Sequence, residues 1–148
     1  MNHFIQSISC AVVLTALTAQ AAFSGDGFSN DNFSNDSAVV MNNILTRTSI
    51  RKFQQRPVEK AKVLALLKAG MAAPTARDLR PWHFVVLSDT ADIHAYASTM
   101  KHHGEMIAQS PVVIYACGDT TRMMEGQARD FWVEDVSCAS ENILLAAH

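Results

Sequence analysis

Ala73-Pro74-Thr75-Ala76-Arg77-Asp78-Leu79-Arg80-Pro81-Trp82-His83-Phe84-Val85-Val86-Leu87 leads from a helix to a strand through a loop bounded by two prolines. Pro74 ends what precedes it, because the residue before a proline disfavours the α region. With both ends restrained, Thr75 to Arg80 can hold polar groups in fixed directions. His83 to Leu87 then reads as a buried strand, and Ser88-Asp89-Thr90 closes it with a cap for the next helix. Trp82 and Phe84 alternate around His83, which sends the two rings to the core and the imidazole to the other side.

Upstream, Val58 to Met71 predicts an amphipathic helix with Ala61, Leu64, Ala65 and Met71 near one face and Val63 and Leu67 beside them. A shorter helix from Ser37 carries Val39, Val40 and Ile44 on one side and leads to Arg47-Thr48-Ser49-Ile50-Arg51-Lys52-Phe53. Downstream, a helix over Ile93 to Met100 breaks at Lys101-His102-His103-Gly104, and Pro111 opens a second strand, Val112 to Cys117, stopped by Gly118-Asp119. From about Arg129 a long helix places Phe131, Trp132, Val136, Ala139, Ile143 and Ala147 on one broad face. Helices alternating with strands predict an α+β or α/β domain. Two strands are few for so many apolar helices, since sheets most often have about four to six. Asn142 to His148 also lacks a Gly, Asn or Pro stop after the last turn. The expectation is a domain cut within a helix.

At 148 residues, with 49% hydrophobic and 18% charged residues, the chain supports one globular core. A net charge of -2 argues against nucleic acid or an anionic membrane as partner. Residues 1–21 read as a signal peptide: the apolar run Ile8 to Leu17 ends at Ala19-Gln20-Ala21, although no Lys or Arg precedes it. The run is too short for a stable membrane anchor. This predicts an exported protein, periplasmic or secreted, that leaves the membrane on cleavage; translation from Met41 predicts a cytoplasmic one. Residues 22–38 form a polar linker with the repeat Phe28-Ser29-Asn30-Asp31 and Phe33-Ser34-Asn35-Asp36, and residues 39–148 form the domain. Cys117 and Cys138 read as buried thiols without a disulfide framework. No metal site is expected, because His102 and His103 lack a spaced third ligand. Glu134 and Asp135 read as a solvated helix face.

Arg47 and Arg51 offer planar, charge-assisted donor forks, and Thr48 and Ser49 add hydroxyls and backbone N–H groups at the same turn, a set suited to a phosphate. The competing reading has both arginines capping the preceding helix C-terminus. Flavin mononucleotide (FMN) needs a phosphate cradle and a rigid loop for its ring edge. The Arg47 turn and the Pro74–Pro81 loop supply both.

Over residues 43–148 the chain resembles the nitroreductase family. The resemblance rests on the Arg47–Phe53 and Ala73–Phe84 segments, Ser110-Pro111-Val112-Val113-Ile114, Cys117-Gly118-Asp119, and Phe131-Trp132-Val133-Glu134-Asp135 leading to Asn142-Ile143-Leu144-Leu145-Ala146-Ala147. It implies an α+β, three-layer α/β/α fold, truncated in its C-terminal half. It also implies a homodimeric FMN enzyme that passes electrons by a ping-pong mechanism from NAD(P)H to a small-molecule acceptor, such as a nitro compound or quinone. By position, Arg47, Thr48, Ser49 and Arg51 inherit the phosphate and Pro74, Thr75 and Asp78 the ring. No catalytic side chain is expected, because the flavin carries the hydride chemistry. Asp78 stands where the family commonly has Asn, and a carboxylate there implies a lowered flavin potential. The family's Gly-Leu-Gly turn, later strands and second cation group have no counterpart in these residues. The alternative is a truncated, non-catalytic remnant or partner-binding fragment that self-associates through an uncovered apolar face at residues 131–147.

Overall fold

A computed structural model describes residues 11–12 and 35–148. In chain order these form β1 (Ala11–Val12), α1 (Asn35–Thr46), α2 (Lys60–Met71), β2 (Trp82–Leu87), α3 (Thr90–Ala97), α4 (Gly104–Ala108), β3 (Val113–Gly118) and α5 (Trp132–Ala147). Short 3-10 turns occupy Ala76–Asp78, Thr120–Arg122 and Gly126–Phe131. The sheet has the order β1-β3-β2, and both pairings are antiparallel. β2 and β3 pair from Trp82 opposite Gly118 to Leu87 opposite Val113. At the other edge Ala11 faces Tyr115 and Val12 faces Ile114.

β3 is apolar at both parities, so it must be covered on both faces. Val113 and Tyr115 pack with Ile93 and Ala97 of α3 and Ile107 of α4. Ile114 packs with Leu66 of α2 and Ile143 of α5, and Ala116 packs with Ala73, Val136 and Ala139. The result is helix, sheet, helix: an α+β fold in three layers. Asp89 caps α3 as the sequence predicts, its carboxylate accepting from the N–H groups of Ala91 and Asp92.

Several expectations change. The inner face of α2 is rotated: Leu66 and Gly70 are buried and Val63 and Leu67 half-buried, while Leu64 and Met71 are exposed. On α1, Val39, Val40 and Ile44 point outward. That helix is instead tied down by polar bonds, Asn43 Nδ2 donating to Leu145 O at 2.8 Å and Thr46 Oγ1 lying 2.8 Å from His148 Nε2. The apolar face of α5 is covered rather than open, with Val136, Ala139 and Ile143 buried and Phe131 exposed. Cys138 is exposed, not buried. After the break at Lys101–Gly104 the chain makes the additional helix α4, entered through His103 at φ 64. Of the signal stretch only Ala11–Val12 is described; the rest of residues 1–21 and the linker up to residue 34 lie outside the described residues, and α1 begins within the linker range.

Two glycines let the helix layer close on the sheet. A Cβ at Gly70 would meet the side chains of Ile143 and Phe84 at 2.9 Å, and one at Gly118 would run into the Trp132 ring. Gly118→Ala is therefore expected to cost about 1–3 kcal/mol, as overpacking does, with the urea midpoint falling accordingly. An unchanged midpoint would show that the ring has room to move.

Candidate functional site

The Pro74–Pro81 loop is held in an uncommon shape. Asp78 N–H donates to Thr75 O at 3.2 Å and Leu79 N–H to Ala76 O at 3.3 Å, forming the 3-10 turn. Arg77, Asp78 and Arg80 then take φ of 54°, 56° and 48°. Left-handed backbone is uncommon outside glycine and costs of order 1–3 kcal/mol per residue, so it persists where surrounding contacts over-determine it. Those contacts are present. Thr75 Oγ1 accepts the Arg80 N–H at 3.2 Å, Asp119 N–H donates to Pro81 O at 2.5 Å, and Asp135 Oδ1 accepts the Ala76 N–H at 2.9 Å. Trp82 and Pro81 are buried beneath the loop, whereas Pro74, Arg77 and Asp78 are exposed and Thr75 is half-buried.

Asp78 does not stand bare. Arg80 grips it as a fork, Nε to Oδ1 at 2.6 Å and Nη2 to Oδ2 at 3.0 Å. Hydrogen bonding to Arg80 holds the Asp78 carboxyl below the ordinary aspartate range, with the charges of Arg80 and Arg122 adding to the effect. The charge that this loop presents is that of the pair, not of an isolated carboxylate. Nearby, Asp119 is also held low, chiefly by the Thr121 hydroxyl and N–H and less by His83, whose Nε2 lies 3.3 Å from Oδ2. The His83 side chain is exposed, as the strand alternation predicts.

At the end of α1 the donors are differently placed. Arg47 Nε pairs with Glu141 of α5 at 3.3 Å. Arg51 is exposed and reaches Ser49 O at only 3.5 Å, a weak contact. Thr48 and Ser49 are exposed, and among the described residues their hydroxyls bond no protein group. Neither guanidinium bonds the last carbonyls of α1 among the described residues, which disfavours the capping reading. A free cation, a second one tethered by one edge, and two unengaged hydroxyls fit a dianionic phosphate.

The two segments meet on α5, where Asp135 holds the loop and Glu141 holds the Arg47 turn. Six residues of helix separate these anchors by about 9 Å along the axis. Asn142 Nδ2 also donates to Ala69 O, at the end of α2 just before the loop. Asp135 is 7% exposed, so its reading as a solvated carboxylate is corrected. Its spacing to Ala139 and Asn142, at i, i+4 and i+7, was the signal that places it on the inner stripe. The roles of Arg80 and Glu141 left no such pattern. Among the described residues no cluster of three or more His, Cys, Asp or Glu could hold a metal ion, and His102 and His103 are exposed.

Residues 44–103 match the profile of the Nitroreductase family. A protein of Methanothermobacter thermautotrophicus, grouped by its name with the NADH dehydrogenase/NAD(P)H nitroreductases, is 42% identical over 115 residues, 74% of this chain and 55% of its own length. Over this stretch the chain is similar to the nitroreductase family. Solved structures agree on the fold. One from Parabacteroides distasonis, named like the first relative, superposes with a TM-score of 0.65 at 39% identity, covering 73% of this chain and 61% of that one. A nitroreductase from Desulfovibrio desulfuricans, solved in complex with FMN, gives 0.62 at 28% identity, with 74% and 62% covered. The nitroreductase fold thus accounts for about three quarters of the chain, which itself spans 55% to 62% of these relatives.

The Asp78–Arg80 fork is open to a pH test. Because the folded-state pKa of Asp78 is depressed, the pairing is present above the ordinary aspartate range and is lost as pH falls through the depressed value. In Arg80→Gln the Asp78 carboxyl is expected to titrate at higher pH than in the parent, nearer the usual value of about 3.9. Carboxyl carbon shifts in NMR report this, and coincident titrations would mean the fork does not persist in solution.

Proposed function

We propose that this chain forms part of an FMN-dependent oxidoreductase, working as a homodimer, that takes electrons from NAD(P)H and reduces nitro compounds, quinones or similar small acceptors. The observation that carries the reading is the pairing of a phosphate-type donor set, in which Arg51 and the Thr48 and Ser49 hydroxyls lack firm protein partners and Arg47 is held by one edge, with a strained, rigidly held loop, both anchored on one helix. The FMN in the solved Desulfovibrio desulfuricans nitroreductase and the NAD(P)H in the relatives' names support the choice of cofactor and donor.

Arg51 and the free edge of the Arg47 guanidinium would neutralise the phosphate, and the Thr48 and Ser49 hydroxyls would complete its hydrogen bonds. Glu141 keeps Arg47 aimed by holding Nε, which leaves the Nη pair for a ligand. Pro74, Thr75 and Asp78 would frame the ring, with the loop backbone fixed by Asp135 below and by the Arg80 fork above. The bound flavin would supply the hydride chemistry in two half-reactions at one face, a ping-pong scheme; the protein positions the ring and leaves that face open. The exposed Val39, Val40, Ile44 and Leu45 of α1 and the exposed Leu64 and Met71 of α2 are the surface such a dimer would cover. Export through residues 1–21 belongs to the same proposal, and Edman sequencing of the mature protein is expected to start at Ala22.

Arg47→Ala combined with Arg51→Ala is expected to weaken FMN binding by roughly 100-fold or more, since each charge-assisted bond is worth about 1.5–3 kcal/mol. The partly exposed Arg47–Glu141 pair is worth only about 0–1 kcal/mol, so this loss does not reflect unfolding. Unchanged flavin retention after desalting would refute the phosphate assignment. The same exposed apolar side chains favour a second reading, a non-catalytic fragment that associates through them. Size-exclusion chromatography separates the two: a discrete yellow dimer supports the enzyme, and colourless aggregate supports the fragment.

A further inference from the structure

Asp135 is a buried carboxylate, and burial of a charge is costly unless the group is hydrogen-bonded. Two features compensate it. It sits in the first turn of α5, where the helix end favours an anion, and its Oδ1 accepts the N–H of Ala76, 59 residues away in sequence. Ala76 immediately precedes Arg77 and Asp78, the left-handed residues of the loop. The loop's other hydrogen bonds at this end are local, to Thr75 O, Thr75 Oγ1 and Ala76 O. Among the described residues Asp135 is the side chain outside the loop that bonds it, and its helix is seated on the sheet by Val136, Ala139 and Ile143.

We infer that Asp135 is a positioning residue, which fixes the Pro74–Asp78 loop against α5 in the shape that meets the flavin ring; the flavin part rests on the function proposed above. Without the acceptor, the Ala76 N–H loses its partner and the strained residues beyond it lose one of the contacts that over-determine them, the one that ties them to α5. Asn keeps a carbonyl oxygen at the same reach, whereas Ala keeps nothing. The carboxylate acts through the loop and need not touch the cofactor.

The test compares the parent with Asp135→Ala, Asp135→Asn and Leu66→Ala, the last a core deletion remote from the loop. Each is read by amide exchange at Ala76 and by the visible spectrum and dissociation constant of added FMN. In Asp135→Ala, Ala76 exchange and the FMN dissociation constant should both rise about tenfold or more, with a shifted flavin band. Asp135→Asn should restore both to within about threefold of the parent, and Leu66→Ala should keep the parent spectrum despite its lost stability. Parent-like Ala76 exchange in Asp135→Ala overturns the inference, as does the same spectral shift in Leu66→Ala. If the parent itself takes up no FMN, the proposed function fails, and Ala76 exchange alone decides the positioning: faster exchange in Asp135→Ala upholds it and unchanged exchange refutes it.

Discussion

The seating of α5 on the sheet is the constraint from which the rest of the structure follows. Val136, Ala139 and Ile143 are buried on one side of the helix, and Ile143 reaches the cluster of Leu66, Val112 and Ile114. Large side chains fully removed from water contribute about 1.5–3 kcal/mol each, so this contact fixes the helix in both rotation and translation. Once it is fixed, three of its polar side chains and one backbone carbonyl reach four other places. Asp135 holds the loop, Glu141 the Arg47 turn, Asn142 the end of α2, and the carbonyl of Leu145 receives Asn43 of α1. Segments far apart in sequence are thereby indexed to one rigid rod.

That arrangement explains how a loop can afford three left-handed non-glycine residues. The strain at Arg77, Asp78 and Arg80 is offset by bonds at both ends of the loop and by a fork within it. The Arg47 turn is the opposite case: its hydroxyls and Arg51 are left without firm protein partners, which is what a binding surface for an anion requires. One segment is held stiff and the other is held available.

Much of the fold was legible because it depends on local rules. Proline punctuation, the Asp89 cap, and the two apolar strands located α2, β2, α3 and β3 to within a few residues. The inner faces of α1 and α2 were less legible. Val40, Ile44, Leu64 and Met71 are apolar by composition but face outward, because which side of a helix is covered depends on where its neighbours lie. The phosphate-type donors could be named from residue chemistry, but their freedom from internal partners could not.

By itself the sequence determined most of the element types, the α+β class, the likeness to the nitroreductase family, and the two segments whose residue chemistry suits a phosphate and a ring edge, since each follows from residue identity and short-range spacing. Tertiary structure alone decided that Asp135 is buried under the loop, that Arg80 neutralises Asp78, and that Glu141 restrains Arg47. Asp135 and Ala76 are 59 residues apart, and no periodicity relates them. Their meeting depends on how α5 lies across the sheet, and that is set by the packing of buried side chains rather than by any preference of the residues concerned.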